Sequence, residues 1–222
     1  MRALATVYKC SDCFSPIRGV EYLSGNTVGG VVYSDTYTKA PMKIPEGYQY
    51  VGCSSCKNVF DKKDLEVLEH YDEKMTDEQN NEYKAFPDPM LHFDMLKILL
   101  EDSKFSNENQ KAFTLWYLWA FNHEIKPEQK QEEVENGNYK KYTDRLIEIL
   151  GSEIDNINSV VLKAEILRER GVFDEAEKIL DSVDKSKFTT EKIQYVFEEI
   201  KNKISKKDSA IFEVEKKSDF IR

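Results

Sequence analysis

The 222-residue chain has no stretch of the roughly 18 consecutive apolar residues that a membrane helix requires. Residues 95–100 and 113–121 come nearest, and both are short and interrupted. A membrane location is therefore not expected. No secretory signal is legible either: one basic residue, Arg2, precedes an apolar run too short to serve before Lys9 and Cys10 break it. A reducing cytoplasm is the expected compartment. Catalytic patterns are equally sparse. The histidines His70, His92 and His123 lie far apart, none belongs to an H-E-x-x-H motif, and each is expected on a helix. The glycines between Gly25 and Gly30 lack the Gly-Lys-Ser/Thr of a phosphate loop and lead into no helix. Acidic residues are plentiful, but nothing in the sequence pairs two of them as acid and base. With no triad visible, the expectation is a protein that is not an enzyme. There are also few cysteines, four in the whole chain.

Aromatic and charged residues, by contrast, are abundant. Twelve Tyr, twelve Phe and two Trp are too many for a chain that buries nothing. Hydrophobic residues make up 40% and charged residues 33%. Against norms of about 45–50% and about 25%, that balance describes a folded protein with much solvated helix surface. The length suits one domain or two small ones.

The four cysteines form two pairs, Cys10-Ser11-Asp12-Cys13 and Cys53-Ser54-Ser55-Cys56. Each C-x-x-C presents two thiolates from one tight turn. Two such turns facing each other complete the tetrahedral sulfur shell that zinc prefers, at about 2.3 Å per bond. Cys10, Cys13, Cys53 and Cys56 are therefore the candidate ligands of one Zn2+ per chain. With all four positions filled by protein sulfur, none is left for water. The metal is expected to be structural, folding a domain too small to fold alone. Two alternatives stay open. A thioredoxin-like redox pair needs a βαβ context and leaves the second pair unexplained, and four unrelated structural cysteines leave the spacing unexplained.

The 39 residues between Cys13 and Cys53 must be structured for the site to assemble. Val20-Glu21-Tyr22-Leu23 and Val28-Gly29-Gly30-Val31-Val32-Tyr33 read as two β segments around the Gly25-Asn26 turn, a hairpin. A third β run, Tyr48-Gln49-Tyr50-Val51, leads into the second pair. The arrangement resembles a zinc ribbon over residues 6–60. Many ribbons carry Gly soon after the second Cys to allow positive φ; here Phe14 and Lys57-Asn58 stand there. Asn58 suits that conformation and Phe14 does not.

Charge weighs on the guess that such a ribbon binds nucleic acid. Residues 1–60 hold six basic and four acidic residues, a net of +2, which a zinc ion with four thiolates brings to about zero. Residues 61–222 hold 26 basic and 37 acidic residues, a net of −11, with no Lys/Arg run. Nucleic acid is thus an unfavoured partner. Tyr33, Tyr37, Tyr48 and Tyr50 can stack on bases, but alternate aromatics in strands more often serve packing.

From Asp61 the composition turns to Glu, Lys, Leu and Ile with helical periodicity. Helices are expected at residues 63–71 and 76–83, from Asp88-Pro89 with Asp88 as cap, and after Ser106. Residues 113–121 are apolar almost all round and are expected at the centre of the core. Residues 127–138 read as a loop or a solvated helix start before a helix at 139–150 that Gly151 ends. Val160, Val161, Ala164 and Leu167 then recur at helical spacing before Gly171, Phe173, Ala176 and Leu180. This stretch resembles a tetratricopeptide repeat, in which a helical hairpin turns at a Gly and small residues let its helices approach. Lys163 departs from that pattern, and no Pro follows Val183. An ordinary helical bundle with one Gly-turned hairpin is the alternative. A single repeat must stack on something, and the helices at 139–150 and 189–204 offer apolar stripes. The tail after Asp208 shows no clear period and is expected to fray or add a short strand.

The expected class is α+β: a zinc-ribbon-like β domain over residues 1–60, an all-α tetratricopeptide-like domain over 61–207 with its hairpin near 158–184, and a tail over 208–222. The layout resembles a group of uncharacterised bacterial cytoplasmic proteins. That resemblance implies a zinc-stabilised interaction module whose helical layer binds a partner protein or peptide, with a basic partner segment favoured by the acidic helices. Nucleic-acid binding through the ribbon is the competing class.

Overall fold

The computed structural model describes residues 2–71 and 74–214. In chain order the elements are β1 (Arg2–Lys9), β2 (Pro16–Ser24), β3 (Val31–Tyr33), β4 (Thr38–Lys39), β5 (Tyr50–Gly52), β6 (Val59–Asp61), a 3-10 turn (Lys62–Asp64) and β7 (Glu66–Tyr71). Helices α1 (Asp77–Ala85), α2 (His92–Glu101), α3 (Asn107–His123), α4 (Pro127–Glu135), α5 (Asn138–Gly151), α6 (Ile157–Glu169), α7 (Phe173–Asp181) and α8 (Glu191–Ser205) follow, then β8 (Glu213–Val214). The fold is α+β, with three small antiparallel sheets and eight helices among the described residues. None of these helices is long and apolar enough to cross a membrane.

The chain forms two compact units. One comprises Met1–Val28 and Ala40–Ile125, the other Gly29–Lys39 and Lys126–Arg222. The expected boundary at residue 60 falls inside the first unit, and residues 29–39 belong to the second.

In the first unit β1 lies between β2 and β7. Its run of β-branched and aromatic residues buries Thr6, Val7 and Tyr8 in succession, because both its faces are covered. β2 pairs with β1 from Arg2↔Ser24 to Lys9↔Pro16, so the hairpin expected between 20–23 and 28–33 does not form. Residues 25–26 are instead held by the chain at 42–44: Asn26 donates its N–H to the Met42 carbonyl at 2.8 Å. A Cβ on Gly25 would stand 2.6 Å from Ile44 Cγ1, so only Gly fits there.

The helix expected at 63–71 is replaced by the 3-10 turn and β7. Val67 and Tyr71 are strand formers, and the free edge of β1 gives them a ladder, Ala5↔Tyr71 to Lys9↔Glu66. His70 therefore sits on a strand, its Nδ1 3.0 Å from Thr6 Oγ1. α1 starts at the Thr76–Gln79 capping box and docks through Tyr83, whose hydroxyl donates to the Gly19 carbonyl at 2.8 Å. α2 begins at His92, later than Asp88-Pro89 implied. Met90 N–H bonds the Gly52 carbonyl at 3.0 Å, tying this stretch to β5 before the helix can start. Ser106 does cap α3. α2 and α3 join through the stacked rings of Phe93 and Tyr117, 5.1 Å apart, and Tyr50 of β5 meets Phe113 edge to face at 5.6 Å. These contacts hold in place the strand that leads into the second cysteine pair.

In the second unit the polar stretch after Ile125 is a helix of its own, α4, with Pro127 at its first position. α6 is buried on most sides, and Ala164, Leu167, Ala176, Leu180, Phe197, Ile200 and Ile204 form the core with it. α6 and α7 are joined at Gly171, whose φ of 74° lies in the left-handed region, while Val172 N–H bonds the Leu167 carbonyl at 2.9 Å. Ala164 and Ala176 have no exposed surface and lie in the same core cluster, where the two helices pack. Gly171→Ala is expected to lower stability by about 1 kcal/mol. Ala164→Leu is expected to cost about 1–3 kcal/mol by overpacking, both read from urea unfolding midpoints.

Glu165 and Arg168 are fully buried on α6 and form a bidentate ion pair, with Nε–Oε2 and Nη2–Oε1 both at 2.7 Å. Arg168 also donates to the Asp208 carbonyl, and its guanidinium lies 5.5 Å from the Phe212 ring centroid. The chain after α8 is thereby fixed, and it ends in β8, which pairs with β3. Of the two outcomes expected for the tail, fraying or a short strand, the strand is present at Glu213–Val214; residues 215–222 lie outside the described residues.

Candidate metal centre

Each cysteine pair occupies the turn of an antiparallel hairpin, Cys10–Cys13 between β1 and β2 and Cys53–Cys56 between β5 and β6. The two turns share one hydrogen-bond scheme. Phe14 N–H bonds the Cys10 carbonyl at 3.0 Å, and Cys10 N–H bonds the Ser15 carbonyl at 2.9 Å. Lys57 N–H bonds the Cys53 carbonyl and Cys53 N–H bonds the Asn58 carbonyl, both at 2.9 Å. The scheme requires a left-handed residue directly after each second cysteine, and Phe14 and Lys57 supply it with φ of 61° and 64°. This corrects the expectation for Asn58 and Phe14. The position is set by the turn, and Phe14 meets it with an exposed side chain. Asn58 instead bridges the two turns, its Nδ2 donating to Asp12 Oδ2 at 2.5 Å. Phe14→Gly and Lys57→Gly are each expected to raise stability by about 0.5–1 kcal/mol, since Gly takes positive φ without the Cβ clash. Thermal melts of the metal-loaded protein check this.

The fold brings all four candidate ligands together. The sulfurs of Cys10, Cys13, Cys53 and Cys56 lie within 4.8 Å of one another, with Cys10–Cys56 and Cys13–Cys53 both at 3.6 Å. A tetrahedron with metal–sulfur bonds of about 2.3 Å has edges of about 3.8 Å, so the cluster is sized for a metal ion. The cysteines are free thiols. Cys10 and Cys53 are buried with Tyr8, Ile17, Val51 and Leu65, while Cys13 is exposed. The site is thus half core and half surface.

Their acidities differ accordingly. Hydrogen bonds from the side chain and then the backbone of Ser15 pull the Cys13 thiol down to about 6. Burial pushes the Cys56 thiol up to about 12 and raises that of Cys10 against the N–H donors of Cys13 and Asp12. Metal uptake must displace protons from Cys10 and Cys56, a cost that bonds to a soft divalent cation offset. Among the described residues this is the one group of His, Cys, Asp and Glu side chains that brings three or more ligand atoms together. His92 lies on α2 with Nδ1 3.2 Å from Glu124 Oε2, and His123 ends α3.

Ser15, Asp12 and Asn58 were not legible as site residues from the sequence. Their contribution comes from the paired turns, and the signal that pointed to them was only adjacency to the cysteines. No protein-family model, curated protein or solved structure matches this chain.

Proposed function

We propose that this protein is a non-enzymatic, zinc-stabilised interaction module. Cys10, Cys13, Cys53 and Cys56 hold one structural Zn2+ in the manner of a zinc ribbon, and the helical layer of the second unit binds a partner protein or peptide. The observation that carries the reading is the cluster of four sulfurs on two matching hairpin turns. A full set of protein thiolates leaves no open coordination position, which favours a structural ion. Free thiols suit a reducing, cytoplasmic setting. The tetratricopeptide-like character of the second unit is supported by the left-handed Gly171 and the buried Ala164 and Ala176.

The partner surface is a groove of about 300 Å³ in the second unit. Val161, Leu162, Ile193 and Val196 line it from α6 and α8, and Val32 and Val214 from the sheet. Such a lining selects apolar side chains. The acidic excess is concentrated elsewhere: residues 61–125 hold seven basic and fifteen acidic residues, and residues 126–222 hold 19 and 22. The partner is therefore a segment with apolar docking residues and a basic flank, the flank serving long-range attraction.

Affinity enrichment with wild-type protein and Ile193→Glu, at matched zinc content and circular dichroism, tests this reading. A partner present only with the wild type supports it, and the same proteins on both would sink it. Fluorescence anisotropy with single-stranded RNA tests the competing class. Saturable binding with a steep salt dependence would move the assignment to nucleic acid.

A further inference from the structure

The first unit also carries an open cleft of about 490 Å³, within the range of about 300–1,000 Å³ common for small-molecule sites. Its wall is mostly apolar. Tyr22 and Tyr48 meet edge to face with ring centroids 6.0 Å apart, beside Val51, Met90 and Met95. The hydroxyls of Tyr22 and Tyr48 have no hydrogen-bond partner among the described residues.

Lys62 enters this wall from the 3-10 turn. Its ammonium donates to the Val20 carbonyl at 2.6 Å and lies 5.9 Å from the Tyr48 ring centroid, leaving two of its three donors unused. No carboxylate stands within ion-pair distance of it among the described residues. Glu21 acts on it from further away and is engaged by the Tyr8 hydroxyl. Burial, opposed by Glu21, holds this ammonium below the ordinary lysine range. The other charges at the cleft are paired: Arg18 with Asp88, and Glu46 with Lys43.

A half-buried cation with no carboxylate at ion-pair distance is costly, and it lowers that cost by taking an anion as ligand. Of the two cations and two carboxylates that line the cleft, Lys62 is the cation with no carboxylate at ion-pair distance among the described residues. The aromatic and thioether wall favours a flat ring, which stacks or meets edge-on with Tyr and packs on Met sulfur.

We propose that this cleft binds a small aromatic carboxylate, with its ring on the Tyr22–Tyr48 wall and its carboxylate on Lys62. The site lies in the first unit and is independent of the groove assigned above to a protein partner.

The test is isothermal titration calorimetry of the full, metal-loaded chain with 2-naphthoate, beside its neutral analogue 2-naphthamide. Saturable one-to-one binding of the acid is expected, at least tenfold weaker for the amide. Lys62→Met should lose tenfold or more. Lys63→Met, which removes an exposed ammonium paired with Asp61, should change nothing. The acid–amide comparison on wild-type protein reads the charge requirement even if Lys62→Met fails to fold. Absent saturation, equal binding of acid and amide, or full binding by a folded Lys62→Met overturns the proposal. So does a tetrapeptide with a free C-terminal Phe binding at least tenfold tighter than 2-naphthoate, which reassigns the cleft to a chain end.

Discussion

Replacing Cys53 and Cys56 together by Ser is expected to remove all bound zinc and to unfold the first unit. Inductively coupled plasma mass spectrometry on untagged wild-type protein should give one zinc per chain, and the variant none. The expected size of the effect follows from where the sulfurs sit. Cys10 is 0% and Cys53 1% exposed, and both pack with Tyr8, Ile17, Val51 and Leu65. Without metal, the buried thiols lose their ligand role at the centre of a small apolar cluster, and the two hairpin turns lose what holds them face to face. Structural zinc contributes about 10–16 kcal/mol in zinc-finger peptides, comparable with the whole stability of a typical domain, about 5–15 kcal/mol. Far-UV circular dichroism and amide exchange at β1 should both report the loss. Wild-type protein with no zinc, carrying four titratable thiols or two disulfides, would falsify the structural site and make redox chemistry the next question.

Glu165→Ala is expected to cost the second unit about 3–5 kcal/mol, because it leaves the guanidinium of Arg168 buried without its partner. Both side chains are fully buried, and two hydrogen bonds of 2.7 Å join them. The carboxylates of Glu169 and Asp208 also act on the guanidinium, but from further away, and neither makes the paired hydrogen bonds that Glu165 supplies. A double replacement, Glu165→Leu with Arg168→Met, removes both charges and is expected to recover most of the loss. Urea unfolding of the two variants decides it. A cost under 1 kcal/mol for the single change would mean that water or a rearranged carboxylate reaches Arg168.

The cluster of four cysteines was legible in the sequence because thiolate chemistry fixes residue type and spacing together. Two C-x-x-C pairs leave few other uses, and the structure clusters them. The α6–α7 hairpin was legible for a similar reason: Gly171 takes the left-handed conformation of the turn, and Ala164 and Ala176 are small at fully buried positions. The strands were harder. Residues 66–71 carry apolar residues that fit a helical period or a strand, and the free edge of β1 decided between them, a partner some 60 residues away in sequence. The hairpin read at 20–33 failed likewise: β1 offered β2 a longer ladder than β3 could, and β3 pairs with β4 and β8. Phe14 and Lys57 show the limit of residue preferences. A turn built around a C-x-x-C pair dictates the backbone angle, and the side chain follows. The buried pair of Glu165 and Arg168 was not read from the sequence, since its burial involves the segment from Asp208 to Phe212, 40 residues further along.

The pairing of β3 with β8 sets an order of events during synthesis. Cys10 and Cys56 are 46 residues apart, so both halves of the sulfur cluster emerge early. Tyr33 and its partner Glu213 are separated by 180 residues. At roughly 5–20 residues per second, β3 waits about 10–40 s on the ribosome for the strand that completes its sheet. Through that interval its edge is open to other nascent chains. Limiting metal during expression should therefore damage the early step, and truncation before residue 213 the late one.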